Sequence, residues 1–454
     1  MDVTTAERTP ALTPGPGQIA AQAQAAGARP LLPHGWALAL SALVLGALAG
    51  VSSGLLSLFL DLVEQVFLGF VENSALPGPF GVPPLRRLLS VLVAGAIAAL
   101  IWCLLRNKCA RVPSVAQAVK GAWMPVWQTV VHVLTQILLV AAGASIGREV
   151  APREAGAMLG GVWFRLAHRL GLRPSDRRLL VAATAGAGFA GIYISPLTGA
   201  LFGVEVLLGS MDLTTVAVCL GMSSVATLVG GSIKGFEAYY AVSSQPFPLR
   251  VMLFALVTGP LAGFVGAAFR RMTSWAESHQ TTGRAILWQL PAVAGLTGLI
   301  AILLPEVMGN GRALAQTAMG LSAEAASPQT GSRLWLLIAT FLAFGLWKAI
   351  CTVLTIRAGA SGGTLTPSIA LGSALGAILA LIASPLAPVI PFWQAAVIGA
   401  AATLAASQQA PLMALFMLFE VCHLPAPALM PLALAVALST AVSRGILSRF
   451  QARA

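Results

Sequence analysis

Apolar runs broken by glycine and proline, with charged residues gathered in the gaps between them, set the pattern of this chain. The runs cover 36–70, 89–105, 126–146, 155–163, 182–191, 251–269, 290–304 and 335–353. About 20 apolar residues cross a bilayer of about 30 Å as a helix, so the longer runs predict membrane spans. The shorter ones stop at Gly or Pro, which predicts half-helices meeting inside the membrane. The fold class is therefore all-α and polytopic. Residues 1–33 are rich in Ala, Pro, Gln and Gly and form a flexible tail by composition. No apolar stretch of signal-peptide length follows a basic start, so the tail is expected to remain cytoplasmic.

An internal duplication organises the rest. Pro196-Leu197 to Glu205-Val206 returns as Pro411-Leu412 to Glu420-Val421, at an offset of 215 in each case (411 − 196 and 420 − 205). The same offset carries Gly147 onto Gly362 and Arg148 onto Gly363. Two repeats follow, 34–235 and 249–446, joined by a linker at 236–248 and ending in a short tail at 447–454. A duplicated membrane protein places its solute site between the halves, near the midplane.

Composition narrows the function. Of 454 residues 57% are hydrophobic and 9% charged, with 46 Gly and 28 Pro, and mean hydropathy is +0.85; a large soluble core is excluded. The net charge of +12 reflects basic cytoplasmic loops rather than nucleic-acid binding. Arg106, Lys108 and Arg111, and the arginines between 165 and 178, mark two such loops. Five scattered cysteines without CxxC spacing, and five histidines in no ligand pattern, indicate neither a disulfide framework nor a metal site. No cofactor is expected. A membrane-embedded enzyme lacks support, since no metal-ligand pair, nucleophile elbow or phosphate loop is present.

Gly147-Arg148-Glu149-Val150-Ala151-Pro152 sets ionisable residues between apolar runs, and only fifteen acids serve the chain. A carboxylate there is costly unless something charged or wet faces it. A helix beginning inside the membrane presents free N–H groups and a positive dipole end, so two such starts converging make an anion site. Gly147 to Val150 and Gly362 to Thr366 are the candidates, with Arg148, Glu149, Val150, Thr364, Leu365 and Thr366 contacting the anion. Glu149 can itself fill that site as an anion and leave it on protonation, which makes it gate and proton carrier; its bland alternative is a structural carboxylate paired with Arg148 or Arg153. Glu205 and Glu420 are helix-end charges or, for Glu205, a substitute proton relay. Thr364 and Thr366 have the alternative of satisfying local backbone groups.

These residues resemble the CLC family of chloride channels and chloride/proton antiporters over 34–446. Gly147-Arg148-Glu149 matches the start of its GREGP motif with the gating glutamate. Gly362-Gly363-Thr364-Leu365-Thr366-Pro367 matches its GxFxP region, and Cys109-Ala110-Arg111-Val112-Pro113-Ser114 falls where GSGIP stands. The resemblance implies inverted-topology repeats with broken and re-entrant helices, a homodimer in a bacterial inner membrane, and movement of chloride or a similar anion, with or without protons. The chain departs from the family at several places: GREGP is here Gly147-Arg148-Glu149-Val150-Ala151-Pro152, GSGIP keeps only its proline, Ala110 takes the place of the anion-binding serine and would bring only its backbone or small size to the anion, Val206 stands for the inner proton glutamate, and Ser443 for the anion-facing tyrosine. A channel or weakly coupled exchanger is the expectation; a fluoride/proton antiporter or a non-conducting scaffold are the alternatives. No paired nucleotide-sensing domains are expected after the second repeat.

Overall fold

A computed structural model describes residues 30–451 apart from 168, 244, 322–330 and 386–389. The tail expected at 1–33 lies almost wholly outside the described residues, as does the end of the one expected at 447–454. The first repeat holds α1 (His34–Phe67), α2 (Pro84–Lys108), α3 (Val115–Val119), α4 (Val126–Ala141), α5 (Val150–Leu166), α6 (Asp176–Tyr193), α7 (Pro196–Leu201), which continues as a π-turn Phe202–Leu208, and α8 (Leu213–Lys234). The second holds α9 (Leu249–Ser278), α10 (Ile286–Ile300), α11 (Arg312–Met319), α12 (Gly331–Arg357), α13 (Leu365–Ala383), α14 (Phe392–Gln408), α15 (Pro411–Val421) and α16 (Leu429–Gln451). Among the described residues, seven helices are long and apolar enough to cross a membrane.

The duplication is visible in the helix starts. His34 and Leu249, Val150 and Leu365, and Pro196 and Pro411 are each 215 apart (249 − 34, 365 − 150, 411 − 196). Packing partners repeat as well: α1 lies on α8 as α9 lies on α16, and α5 on α6 as α13 on α14. The two copies run in opposite senses. The start of α1 joins the arginine-rich loop, with Leu31 N–H on the Arg169 carbonyl (3.0 Å) and His34 on Asp176 (2.9 Å). Its end reaches the far side, where Asp61 pairs with Lys234. From that side α9 runs back, and Thr281 just beyond it donates its N–H to the Arg357 carbonyl (2.9 Å) at the basic end. Arginine-rich loops face the cytoplasm, so that end is cytoplasmic. Spanning 34 residues, α1 is about 50 Å long at 1.5 Å per residue, and must tilt in the bilayer.

The α6 helix is buried along nearly its whole length because Ala and Gly let neighbouring backbones touch. Gly156 of α5 lies directly on the Thr184 carbonyl, and Gly372 of α13 on the Gly399 carbonyl of α14; a β-carbon at either would overlap backbone. Outside the spans, Asp212 caps α8. The Thr215 hydroxyl, then its backbone N–H, hold the Asp212 carboxyl down at about 2. The stabilisation it lends is complete above its ordinary value of 3.8 and is lost as pH falls towards 2.

The repeated Pro–Glu segments pack against each other. Glu205, in the π-turn after α7, accepts from the Leu412 and Met413 N–H groups at the start of α15 (3.1 and 2.8 Å). Glu420, at the end of α15, accepts from Leu197 and Thr198 N–H (both 2.8 Å) and from the Thr198 hydroxyl (2.6 Å) at the start of α7. Each carboxylate caps the other repeat's helix, where free N–H groups and the dipole favour a negative charge. Glu420→Ala is expected to lower stability by about 0.5–2 kcal/mol, the range for a lost cap, read as an earlier thermal unfolding transition in detergent. An unchanged transition would remove the capping role.

Candidate functional site

Two helices start at one point. Gly147 and Gly363 exchange backbone hydrogen bonds, N–H to carbonyl at 2.7 and 2.8 Å, in an isolated antiparallel bridge. Three residues on from Gly147, Val150 begins α5; two residues on from Gly363, Leu365 begins α13. The bridge thus brings together the start regions of two helices, each with N–H groups that have no partner within its own helix. Both helices are buried over most of their length, so these starts lie inside the protein.

Glu149 is the N-cap residue of α5 and is fully buried. Its side chain turns across to the other repeat rather than onto its own helix. Oε1 accepts the Leu365 N–H at 2.7 Å, and Oε2 accepts the Thr366 hydroxyl at 2.9 Å. The carboxylate lies against the bridge itself: a β-carbon on Gly147 would overlap both its oxygens, and one on Gly363 would overlap Oε1 and the carboxyl carbon. Lack of a side chain at these two glycines is what leaves the carboxylate room. The carboxylate forms no ion pair with Arg148 or Arg153 among the described residues. Arg153 Nε donates to the Glu149 carbonyl (2.7 Å), and its guanidinium lies over the Phe189 and Phe202 rings. A helix start and a hydroxyl are therefore what hold the negative charge.

Arg148 lies on the outward side of Glu149. It is buried, and its guanidinium carbon lies 5.4 Å from the Tyr193 ring centre and 5.0 Å from that of Tyr239, a favourable placement over a π face. Its Nε is buried without a hydrogen-bond partner. Around Tyr239 run further polar contacts: Asn310 Nδ2 to the Tyr239 hydroxyl (2.8 Å), Arg312 to Glu72 (3.2 Å), and the Glu72 N–H to Glu64 (2.7 Å). Beside Glu64, Glu72 and Asn310 lies a cavity of about 20 Å³, the room of about one water.

Of the residues singled out in the sequence, Glu149, Leu365 and Thr366 meet directly. Val150 heads α5 and Thr364 is the N-cap of α13, its hydroxyl taking a bond from Gln408 (3.2 Å). Ala110 is exposed in the coil after α2 and shares no hydrogen bond with Glu149, Leu365 or Thr366. Glu205 is occupied in capping α15. Ser443 is buried and bonds Gln409 (2.9 Å), and Val206 is largely exposed.

Two further residues stand near the site outside any sequence motif. Tyr193, at the end of α6, places its hydroxyl 3.4 Å from Thr366 Oγ. Lys348, in the middle of α12, is completely buried, with Nζ donating to the Val307 and Gly309 carbonyls (3.1 and 2.6 Å). A lone lysine in the apolar run 335–353 was the available signal, since a charge so placed is functional by default. A β-carbon on Gly311 would meet both the Thr366 carbonyl oxygen and Lys348 Cε, so the lysine side chain and the first turn of α13 flank the same glycine. Lys348→Met removes that positive charge and leaves two carbonyls unpaired, each costing about 1–3 kcal/mol. Lys348→Met is expected to unfold earlier than wild type on heating in detergent; an unchanged transition would show that the ammonium does not hold the Val307–Gly309 turn.

The chain is similar to known proteins over most of its length. The family profile described as voltage gated chloride channel matches residues 94–444, more than half of the chain. The Voltage-gated ClC-type chloride channel ClcB of Salmonella typhimurium is 27% identical over 405 residues, covering 84% of this chain and 90% of that protein. A slow cyanobacterial Cl−/H+ antiporter superposes with a TM-score of 0.72 at 21% identity, covering 90% of this chain and 95% of the other. A CLC-type fluoride/proton antiporter gives 0.64 at 22% identity with the same coverage. The seven apolar helices among the described residues and the bacterial relatives make this a multi-pass integral membrane protein of the bacterial inner-membrane kind. With two inverted repeats and a buried glutamate held between two intramembrane helix starts, the chain belongs to the CLC family of voltage gated chloride channels and their antiporter relatives.

Proposed function

We propose that this protein moves chloride, or an anion of similar size, across the membrane through the seat that the Glu149 carboxylate fills. The observation that carries the reading is the Leu365 N–H on Glu149 Oε1 at 2.7 Å, beside the paired glycines. The seat holds a negative charge with one peptide N–H, one hydroxyl and the positive end of a helix, and nothing in that set is particular to a carboxylate. A chloride ion satisfies the same donors. Protonation of Glu149 cancels its charge and weakens both bonds, so the neutral acid yields the seat and an arriving anion takes it; deprotonation returns the gate. Arg148, buried beside Tyr193 and Tyr239 with Nε unpaired, adds a positive charge next to the seat that attracts anions.

Proton coupling is weak in this reading. Val206 cannot carry a proton, and Glu205 is engaged at the start of α15. A fluoride/proton antiporter is the second reading, favoured by the Thr366 hydroxyl at the seat, because O–H donors suit a small, strongly basic anion. A homodimer belongs to the proposal too. Val206, Leu213, Leu220, Leu412 and Met430 offer an exposed apolar face around the capped helix pair, and cross-linking in membranes tests it.

The deciding experiment loads liposomes with chloride or fluoride and records anion efflux and internal pH together. Efflux with uphill proton movement establishes an exchanger, and efflux without it a channel. No efflux of either anion defeats the transport reading.

A further inference from the structure

We propose that Tyr193 and Thr366 act as a hydroxyl pair that sets which anions the seat accepts, Thr366 as a direct ligand and Tyr193 as the residue that positions and polarises it. This rests on the transport reading above.

The argument begins with hydrogen-bond accounting. Buried hydroxyls on helices commonly turn back to the carbonyl four residues earlier, and Thr184, Thr355 and Thr440 do so here, on Leu180, Cys351 and Val436. Thr366 sits in the first turn of α13, and its fourth preceding residue, Gly362, lies outside the helix. Its proton is therefore free for the seat, and it goes to Glu149 Oε2. A hydroxyl has one proton to give and lone pairs to receive. With that proton committed to the carboxylate, the contact with Tyr193 at 3.4 Å runs one way: the phenol donates and Thr366 accepts.

Tyr193 is held for that task. It is the last residue of α6 and almost fully buried, and its ring meets Phe189 and Tyr239 edge-on while Arg148 lies over it. The chain turns away at Ile194, a left-handed residue with φ 53°. The phenol comes from the first repeat and the threonine from the second, so the pair is assembled only where the halves meet. Tyr193 O–H to Thr366 O–H to Glu149 is a chain polarised towards the seat, its first contact long at 3.4 Å and its second a full hydrogen bond at 2.9 Å.

When the carboxylate leaves, the Thr366 proton is left facing the incoming anion. Directional O–H donors reward small anions of high charge density, which lose the most water on arrival. They do little for a large, weakly hydrated anion such as thiocyanate. Anion choice at the seat is thus set by the hydroxyls, while the Leu365 amide and the helix dipole supply attraction common to all anions.

The test measures chloride and thiocyanate efflux from liposomes holding the full chain. Wild type is compared with Thr366→Val, Thr366→Ser and Tyr193→Phe. Thr366→Val is expected to lower the chloride-to-thiocyanate ratio about tenfold, the scale of one lost hydrogen bond to a charged group. Tyr193→Phe shifts it about threefold in the same direction, through a weakened neighbour rather than a lost ligand. Thr366→Ser keeps the wild-type ratio, which a purely structural role for the threonine does not require. Unchanged ratios in Thr366→Val or Tyr193→Phe overturn the proposal; if Thr366→Val does not fold, Tyr193→Phe with Thr366→Ser decides it alone. Wild type that moves neither anion defeats the transport reading, whereas wild type that moves both with variants of unaltered ratio defeats only the hydroxyl pair.

Discussion

Glu149→Gln is expected to pass anions faster than wild type and at a rate that no longer rises as the pH falls. In wild type the charged side chain is the resident of the seat, held by the Leu365 N–H and the Thr366 hydroxyl. Hydrogen bonds to a charged group are worth about 1.5–3 kcal/mol each. Glutamine keeps the size and one acceptor oxygen but not the charge, so it loses to a halide in competition for a helix start. Losing even one such increment empties the seat about tenfold more often. The wild-type profile follows from the same competition: acid protonates Glu149 and frees the seat, so flux rises as pH falls, and the amide has nothing to titrate. Efflux from chloride-loaded liposomes across a pH series reads both features. A glutamine variant slower than wild type, with the wild-type pH profile, would mean that the carboxylate does not occupy the route of the anion.

The second large effect comes from a residue with no polar side chain. Gly363→Ala places a methyl group where the carboxyl carbon and Oε1 of Glu149 lie. Its backbone is not left-handed, so alanine can adopt it without strain. The bonds to Gly147 use only N–H and carbonyl groups and survive the change. The carboxylate is what must move. Gly363→Ala is therefore expected to lower flux by about tenfold or more, the opposite of Glu149→Gln, because the methyl group stands in the seat that the anion itself must take. Gly147→Ala presses on both oxygens from the other strand and acts in the same direction. Thermal unfolding alongside efflux separates a blocked seat from misfolding. A well-folded Gly363→Ala with wild-type flux and pH dependence would show that the seat tolerates a methyl group and does not limit transport.

The framework was open to reading because each of its signals is local or periodic. Charged residues are few, so Glu149 stood out between apolar runs. The offset of 215 between Pro196 and Pro411 recurs in the helix starts at 34 and 249 and at 150 and 365. The Glu205 and Glu420 pair was visible as a repeat, but not as two carboxylates each capping the other repeat's helix, because that contact joins residues more than 200 apart in the chain. Tyr193 escaped notice for a similar reason. An aromatic residue at the end of an Ala/Gly-rich helix reads as packing, and only its approach to Thr366 and Arg148 gives its hydroxyl and ring a chemical setting. Lys348 differs from both, since a single charge deep in an apolar run is a signal that the sequence itself carries.

Hydropathy, the helix breaks and the duplication determined from sequence that this is a polytopic helical membrane protein with an anion-suited glutamate between two repeats. Those features follow from the cost of exposing backbone and charge to lipid, which each stretch of chain must meet by itself. Only the tertiary structure decided what holds the carboxylate. It is a peptide N–H and a hydroxyl from the opposite repeat, not the arginines on either side of it, and it fits because two glycines from distant parts of the chain pair backbone to backbone. Sequence records which groups are available; which of them meet depends on how two inverted halves close on one another, and hydrogen bonds of 2.7–2.9 Å exist only once that closure is made.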